Sequence, residues 1–255
     1  MIIKDKRLVS IIMPTYNSGH VIKETLDSVL SQSYVDWELI IIDDCSNDET
    51  REIIKDYAQR CNKLSFLVND VNSGAGVSRN RGIQVARGRY LAFLDSDDLW
   101  DPNKLEIQIE FMRKHQSAIS HTSFSFIDEV GVKRKGKVAV SSVVDLKKNL
   151  KNTEIGTSTA IVDRELVLQN IRFSEMRARQ DLKLWIDILG SGYISNGINE
   201  DLVKYRVRGG SVSSNKFKML YVTLKVYMSI HSLTIYERLY CYSCYVTNAI
   251  KKRQK

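Results

Sequence analysis

Asp95 and Asp97 stand two residues apart, directly after the apolar run Tyr90–Leu94. Alternate side chains of an extended strand share a face, so the two carboxylates point the same way. They repel unless a cation or a donor lies between them. A hard divalent ion such as Mg²⁺ or Mn²⁺ uses few carboxylates and takes its other ligands from phosphates. The Asp95-Ser96-Asp97 segment therefore points to a metal–diphosphate site. The same spacing occurs in turns and caps, and its place at a strand end favours the ligand reading. Asp44 closes a second apolar run, where its carboxylate could accept the N3–H of a pyrimidine base; Asp43 and Asp44 could equally cap the helix that follows. Pro14, Thr15, Tyr16 and Asn17 end a third run, and the Tyr16 ring could stack on a base or pack in its loop. Gly74 and Gly76 let backbone approach a ligand, and Arg79 could pair with phosphate, with the base or with a structural carboxylate.

These residues need a frame that brings strand ends together. The runs Leu8–Met13, Trp37–Asp43, Leu64–Val68 and Tyr90–Leu94 start 29, 27 and 26 residues apart, close to the length of a βαβ unit. Helical patterns over Val21–Gln32, Glu49–Arg60 and Val77–Ala86 fill the gaps, the second behind a capping turn, Ser46-Asn47-Asp48. The expected fold is α/β: a mostly parallel, Rossmann-like sheet with helices on both faces and ligands at the carboxyl ends of its strands. Beyond Asp98 the alternation stops. A helix is predicted over Asn103–Lys114, irregular strands over Ala118–Val140 with a turn at Gly131, and a β-like run over Ile155–Val162. Arg164–Gln169 and Asp181–Leu189 read as helices, and Arg208-Gly209-Gly210-Ser211 marks a composition break.

The chain has 255 residues, 43% hydrophobic and 27% charged, enough for one large globular domain with an appendage. Its net charge of +8 is uneven: Lys216–Lys255 holds six lysines and two arginines against one acid, Glu237. Those cations are mixed with Tyr221, Tyr227, Tyr236, Tyr240, Tyr242 and Tyr245. Such a mixture suits the headgroup layer of an anionic membrane, or a pair of amphipathic helices packed on the main domain. A nucleic-acid reader spreads its basic stripe over the folded surface, so no nucleic-acid partner is expected. Four scattered cysteines make no disulfide scaffold and suggest a reducing compartment. Neither a signal-peptide pattern nor a spanning apolar segment is visible.

Taken together, VSIIMPTYNSG (Val9–Gly19), SVLSQSYVDWELIIIDDCSNDET (Ser28–Thr50), NSGAGVSRNRGIQVARGRYLAFLDSDDLW (Asn72–Trp100) and RQDLKLWIDIL (Arg179–Leu189) resemble bacterial family 2 glycosyltransferases of the GT-A fold. The resemblance covers most of residues 8–100 and a short segment near 180. It implies a nucleoside-diphosphate sugar donor, most often a UDP-sugar, with Thr15, Tyr16 and Asp44 on the uridine, Asp95 on the ribose and Asp97 on the Mg²⁺ or Mn²⁺. Arg179-Gln180-Asp181 resembles the family's catalytic-base motif, with Asp181 as base and Gln180 where many members have Glu. Asp181 could otherwise be a carboxylate favoured at a helix start.

A base opposite the leaving group implies single in-line displacement with inversion. Asp181 would take the acceptor hydroxyl's proton, and a divalent ion held by Asp97 would stabilise the diphosphate's growing charge. Arg206, Arg208 and Ser211 could form a basic loop over the donor diphosphate. The expected acceptor is a polyprenyl-diphosphate-linked saccharide, as in O-antigen or capsule assembly, at the inner face of the cell membrane, with the protein cytoplasmic and peripheral. The expected organisation is a glycosyltransferase domain over 1–210, with a nucleotide-sugar half (1–115) and an acceptor half (116–210), and a basic helical tail over 211–255. A nucleotide-sugar-binding protein without turnover is the competing reading. Three weaker signals are set aside. Gly74–Arg79 lacks the third glycine of a dinucleotide fingerprint. Gly156–Ala160 only half resembles a serine nucleophile elbow. Cys241 and Cys244 lack a second pair for zinc.

Overall fold

The computed structural model describes residues 5–208 and 216–251. Strand β1 (Asp5–Thr15) leads through α1 (Ile22–Leu30) to β2 (Trp37–Asp43), through α2 (Thr50–Arg60) to β3 (Leu64–Val68), and through α3 (Ala75–Val85) to β4 (Gly88–Phe93). Next come β5 (Leu99–Trp100), α4 (Lys104–His115), β6 (Ile119–Ile127), β7 (Lys133–Val138), β8 (Val143–Val144) and α5 (Leu146–Asn152). A 3-10 turn (Thr157–Thr159), β9 (Ile161–Asp163), α6 (Gln180–Gly190), β10 (Ser195–Arg206), α7 (Lys216–Met228) and α8 (Ile235–Lys251) complete the described chain.

All ten strands form one sheet whose main path is β3-β2-β1-β4-β9-β6-β10-β5. Strands β3, β2, β1 and β4 pair in parallel, as do β6 and β10. The three-residue β9 runs antiparallel between β4 and β6, so the six principal strands share one direction. Their alternation builds two cores. Val9, Ile11 and Met13 of β1, with Leu39 and Ile41 of β2, pack against Ile22, Leu26 and Val29 of α1 and Leu105 and Ile109 of α4. Ile12, Ile40, Ile42, Leu91 and Phe93 face the other way, against Leu184, Trp185 and Ile188 of α6. A strand buried on both faces is why WELIIID reads as an unbroken apolar run.

Two expectations in the later half change, and one strand is new. Ile155–Val162 is a strand only from Ile161: Gly156 O accepts from both the amide and the hydroxyl of Thr159, which favours a local turn. Arg164–Gln169 forms a single turn, with Asp163 O accepting from the amides of Leu166 and Val167, and no helix follows. Strand β10 had no signal in the sequence because Asn199-Glu200-Asp201 interrupts its alternation where the pairing with β6 shifts register.

Helices α7 and α8 pack on the body. Val226, Tyr227, Ile230, Leu233, Cys241 and Tyr245 share one apolar cluster with Leu150 of α5 and Leu182 and Ile186 of α6. Lys147 pairs with Glu237 at 2.7 Å, and Asn248 Nδ2 donates to Lys151 O at 3.1 Å. The boundary expected at 210–211, Ser211 itself and the last basic residues, Lys252, Arg253 and Lys255, lie outside the described residues.

Candidate active site

The chain leaves β1 toward β2 and β3, then returns to place β4 on the opposite side of β1. Strand order reverses there, and the loops beyond the carboxyl ends diverge and leave a crevice. A cleft of about 930 Å³ opens at this point. Pro14, Thr15 and Tyr16 from the end of β1, Asp44 after β2 and Asp95, Ser96 and Asp97 after β4 all line it. So do Arg79 of α3, Gln180 of α6 and Arg206 and Arg208 at the end of β10. Asn17 and Asp181 are not among its lining residues. Asn17 has left-handed backbone (φ 48°) and serves the loop, its amide donating to Ser46 Oγ and its Oδ1 accepting from Asn47 N, each at 2.9 Å.

The two acids after β2 divide their work. Asp43 is buried and accepts from Ser46 N at 3.1 Å and Arg51 Nε at 2.7 Å, so it closes the turn. Asp44 accepts from Ser73 N (2.9 Å), Gly74 N (2.7 Å) and Asn69 Nδ2 (2.7 Å). It thereby ties the glycine loop before α3 to the cleft and keeps unspent acceptor capacity, since a carboxylate has about four lone-pair sites.

The Asp95–Asp98 loop is held from three sides. Arg79 pairs with Asp95 and lies over the Phe173 ring, 5.0 Å from its centroid. Arg208 Nη2 pairs with Asp97 Oδ2 at 2.6 Å, and its Nη1 donates to His20 Nε2 at 3.3 Å. Ser158 Oγ donates to Asp98 Oδ2 at 2.5 Å and accepts from Asp95 N at 3.1 Å. Burial pushes the Asp98 carboxyl well above the usual range, and the charges of Asp97 and Asp95 add to this. Burial and then Asp95 push Asp97 upward, against the pull of Arg208. Clustered, half-desolvated carboxylates of this kind favour a counter-cation.

Three lining side chains hold buried polar atoms without a hydrogen-bond partner among the described residues: Thr15 Oγ1, Arg79 Nε and Nη1, and Gln180 Oε1. Buried polar groups are normally satisfied, so these atoms are suited to a polar ligand. Among the described residues no group of three His, Cys, Asp or Glu side chains could hold a metal alone. The donor set fits instead a cation held by one carboxylate, with phosphate oxygens as its further ligands.

Asp181 sits in the first turn of α6, one residue after Gln180. Its Oδ1 accepts from Leu182 N at 2.8 Å, and Thr157 Oγ1 donates to its Oδ2 at 3.4 Å. The 3-10 turn thus reaches Asp181 through Thr157 and the Asp95–Asp98 loop through Ser158. Arg179 caps α6 in left-handed backbone (φ 63°). Its guanidinium donates to Thr223 Oγ1 of α7 at 2.9 Å and to Tyr245 Oη of α8 at 2.5 Å.

Sequence reading missed His20, on the loop before α1, and Tyr205 of β10, because single rings carry no spacing signal; it set Ser158 aside within Gly156–Ala160, and in the fold Ser158 N donates to Tyr205 Oη at 3.1 Å. Arg206 was read as part of a covering loop. In the fold its side chain is fully enclosed, and it donates to Asp97 O at 2.9 Å and pairs with Glu24 at 2.7 Å.

Residues 10–171 match the Glycosyl transferase family 2 domain. TuaG of Bacillus subtilis (strain 168), named as a candidate teichuronic acid biosynthesis glycosyltransferase, is 42% identical over 248 residues, spanning 97% of this chain and 98% of that one. WfgD of Escherichia coli, named as a UDP-Glc:alpha-D-GlcNAc-diphosphoundecaprenol beta-1,3-glucosyltransferase, is 39% identical over 218 residues, 85% of this chain and 83% of its own. The crystal structure of S. aureus TarS 1–349 in complex with UDP-GlcNAc superposes with a TM-score of 0.74 at 21% identity, covering 95% of this chain and 72% of that one. That last likeness is one of fold, and the architecture is the expected GT-A arrangement.

Proposed function

The chain belongs to glycosyl transferase family 2 and is a glycosyltransferase, and on that premise we propose an inverting transfer from a UDP-sugar to a hydroxyl of a lipid-linked saccharide in surface polysaccharide assembly. One observation carries this reading. The strand-end acids Asp44, Asp95 and Asp97, the unsatisfied Thr15 and Arg79, and the start of α6 at Gln180 border a single cleft at the switch point of the sheet. Residues 1–115 would form the nucleotide-sugar half, 116–210 the acceptor half and 211–255 the tail.

In this mechanism Tyr16 covers the uracil face, and Thr15 and Asp44 hold its polar edge. Arg79 holds Asp95 toward the ribose, and Asp97 would hold a Mg²⁺ or Mn²⁺. That ion, when bound, would neutralise charge on the departing diphosphate. Asp181 takes the proton of the acceptor hydroxyl as it attacks the anomeric carbon, a contribution of about 10²–10⁴-fold for a positioned base. Asp181 belongs to α6, whose first residue borders the cleft, and in this reading the acceptor approaches the anomeric carbon from the side away from the diphosphate. An α-linked donor would then give a β-linked product. The E. coli relative's diphosphoundecaprenol acceptor supports a polyprenyl-diphosphate-linked substrate here.

Such an acceptor lies at a membrane, and we place the protein as peripheral on the cytoplasmic face. No described helix is long and apolar enough to cross a bilayer. The exposed side of α8 shows Tyr236, Leu239, Tyr240, Ser243, Thr247 and Ile250, without a charge. Lysines flank it: Lys151 lies over the Tyr240 ring at 5.0 Å, and on α7 Lys225 lies over Tyr221 at 4.5 Å. Uncharged aromatics bordered by lysine suit an anionic interface.

The decisive experiment incubates the protein with Mn²⁺ or Mg²⁺, a panel of UDP-sugars and a lipid-linked acceptor, and follows UDP release. One donor should be consumed with formation of product. Asp181→Asn should abolish transfer and keep UDP binding; wild-type turnover in that variant would overturn the assignment.

A further inference from the structure

The near-neutral net charge of residues 1–215 conceals a local basic strand. Lys133, Arg134, Lys135 and Lys137 lie on β7, and all four are exposed. Strand β7 pairs with β6 alone, so it is an edge. Edge lysines discourage edge-to-edge pairing, which accounts for charge on this strand but not for its placement. Among the described residues none of the four takes part in an ion pair.

The hairpin is fixed against the cleft. Arg206 Nη1 donates to Asp128 O (3.3 Å) and Glu129 O (3.0 Å) in the β6–β7 turn while its Nε holds Asp97 O (2.9 Å). One enclosed guanidinium thus ties the hairpin to the carboxylate loop. The Asp128 carboxylate is committed to the turn, accepting from Val130 N at 3.1 Å and Val132 N at 2.8 Å. Beside the turn lies a recess of about 520 Å³ lined by Asp128, Glu129, Val130, Arg134, Val207 and Arg208. Its Glu129, Val207 and Arg208 also line the main cleft, so the two adjoin. Arg134 and Arg208 border the same recess, and Arg208 pairs with Asp97 of the cleft.

We propose that the recess at the β6–β7 hairpin is an acceptor subsite whose Arg134 takes the diphosphate of a lipid-linked acceptor, apart from the donor diphosphate at Asp97; Lys133, Lys135 and Lys137 alternate onto the other face of β7. The proposal rests on the reading of the acceptor given above. In a monosaccharide diphosphate the phosphorus lies one sugar ring from the reacting hydroxyl, which calls for an anion site adjoining the donor cleft rather than inside it. A guanidinium suits phosphate oxygens, which it can meet with two parallel N–H donors. At the hairpin tip Val130 and Val132 are 78% and 61% exposed, an apolar end beside the cations that matches a hydrocarbon joined to phosphate.

The test uses the full chain and the variant Arg134→Gln, with Lys133→Gln/Lys135→Gln/Lys137→Gln as a control expected to leave every KM unchanged, and two water-soluble acceptors bearing the same sugar. One carries a short alkyl diphosphate, the other the alkyl group alone. Arg134→Gln should raise KM for the diphosphate acceptor by roughly tenfold or more, as for lost charge-assisted contacts, and leave the donor KM and the alkyl glycoside within about twofold. An equal effect on both acceptors, or none, overturns the subsite. So does loss of binding to anionic vesicles with an unchanged diphosphate acceptor, which would assign the cations to lipid headgroups. Should the wild type transfer sugar to neither acceptor, the functional reading fails. Direct titration with the alkyl diphosphate sugar still decides the subsite: weaker binding by Arg134→Gln supports it, and equal binding overturns it.

Discussion

Arg208 reaches back from the end of β10 to place its Nη2 2.6 Å from Asp97 Oδ2. The guanidinium neutralises the carboxylate that burial and Asp95 otherwise push toward protonation. It also stands where a diphosphate would lie if Asp97 held the cation. Arg208→Ala should therefore raise the donor KM about tenfold, the scale of one lost charge-assisted hydrogen bond, with a smaller change in kcat. Steady-state kinetics with varied donor check this, and an unchanged KM discards the role.

Ser158 supports the same loop from behind. Its hydroxyl serves Asp98 and the Asp95 amide at once and is wholly buried. Ser158→Ala leaves Asp98 Oδ2 without its donor, while Oδ1 keeps Arg206 N at 3.0 Å, at a cost of about 1–3 kcal/mol. Urea unfolding should show that loss, and turnover should fall because the Asp95 and Asp97 side chains lose their fixed backbone.

Helix α3 lies close on the sheet at Gly82. A Cβ there would come within 2.6 Å of Ile42 Cδ1 and 2.7 Å of Ile12 Cγ2, both fully buried. Gly82→Ala gains about 1 kcal/mol of helix propensity but overpacks by about 1–3 kcal/mol. We expect net destabilisation in thermal melts, with α3, which carries Arg79, pushed away from the sheet.

His121 is enclosed in β6 with Nδ1 2.7 Å from Ser195 Oγ, and burial lowers its pKa to about 4 from an ordinary 6.5. Between those values the unfolded chain binds the proton and the folded chain does not. Stability is therefore full above pH 6.5 and falls as pH drops toward 4, by about 3 kcal/mol for a shift of this size. Denaturant midpoints from pH 7 to 4 should fall less steeply in His121→Gln; equal slopes would refute the assignment.

The first half of the fold was legible because its signals are local. Runs such as WELIIID announce strands buried on both faces, and their spacing announces the helices between. The acids at the strand ends follow from the same topology. The second half depends on contacts far apart in sequence. Ser158 meets Asp98 across 60 residues, and Arg206 meets Glu24 across 182. Neither partner carries a pattern that could predict the other. Arg79 keeps both of its expected readings: its pairing with Asp95 and its unsatisfied nitrogens on the cleft give it a structural and a ligand-facing side at once. The basic residues of β7 were hidden by net-charge arithmetic, since acids elsewhere cancel them.

The hold of Thr223 and Tyr245 on Arg179 has a practical corollary. The stretch matched by the family ends at residue 171, short of every atom in that clasp. A fragment trimmed to that stretch, or shortened before α7, would leave the Arg179 guanidinium at the start of α6 without either hydroxyl that holds it. Helices α7 and α8 thus brace the body from outside its recognisable module.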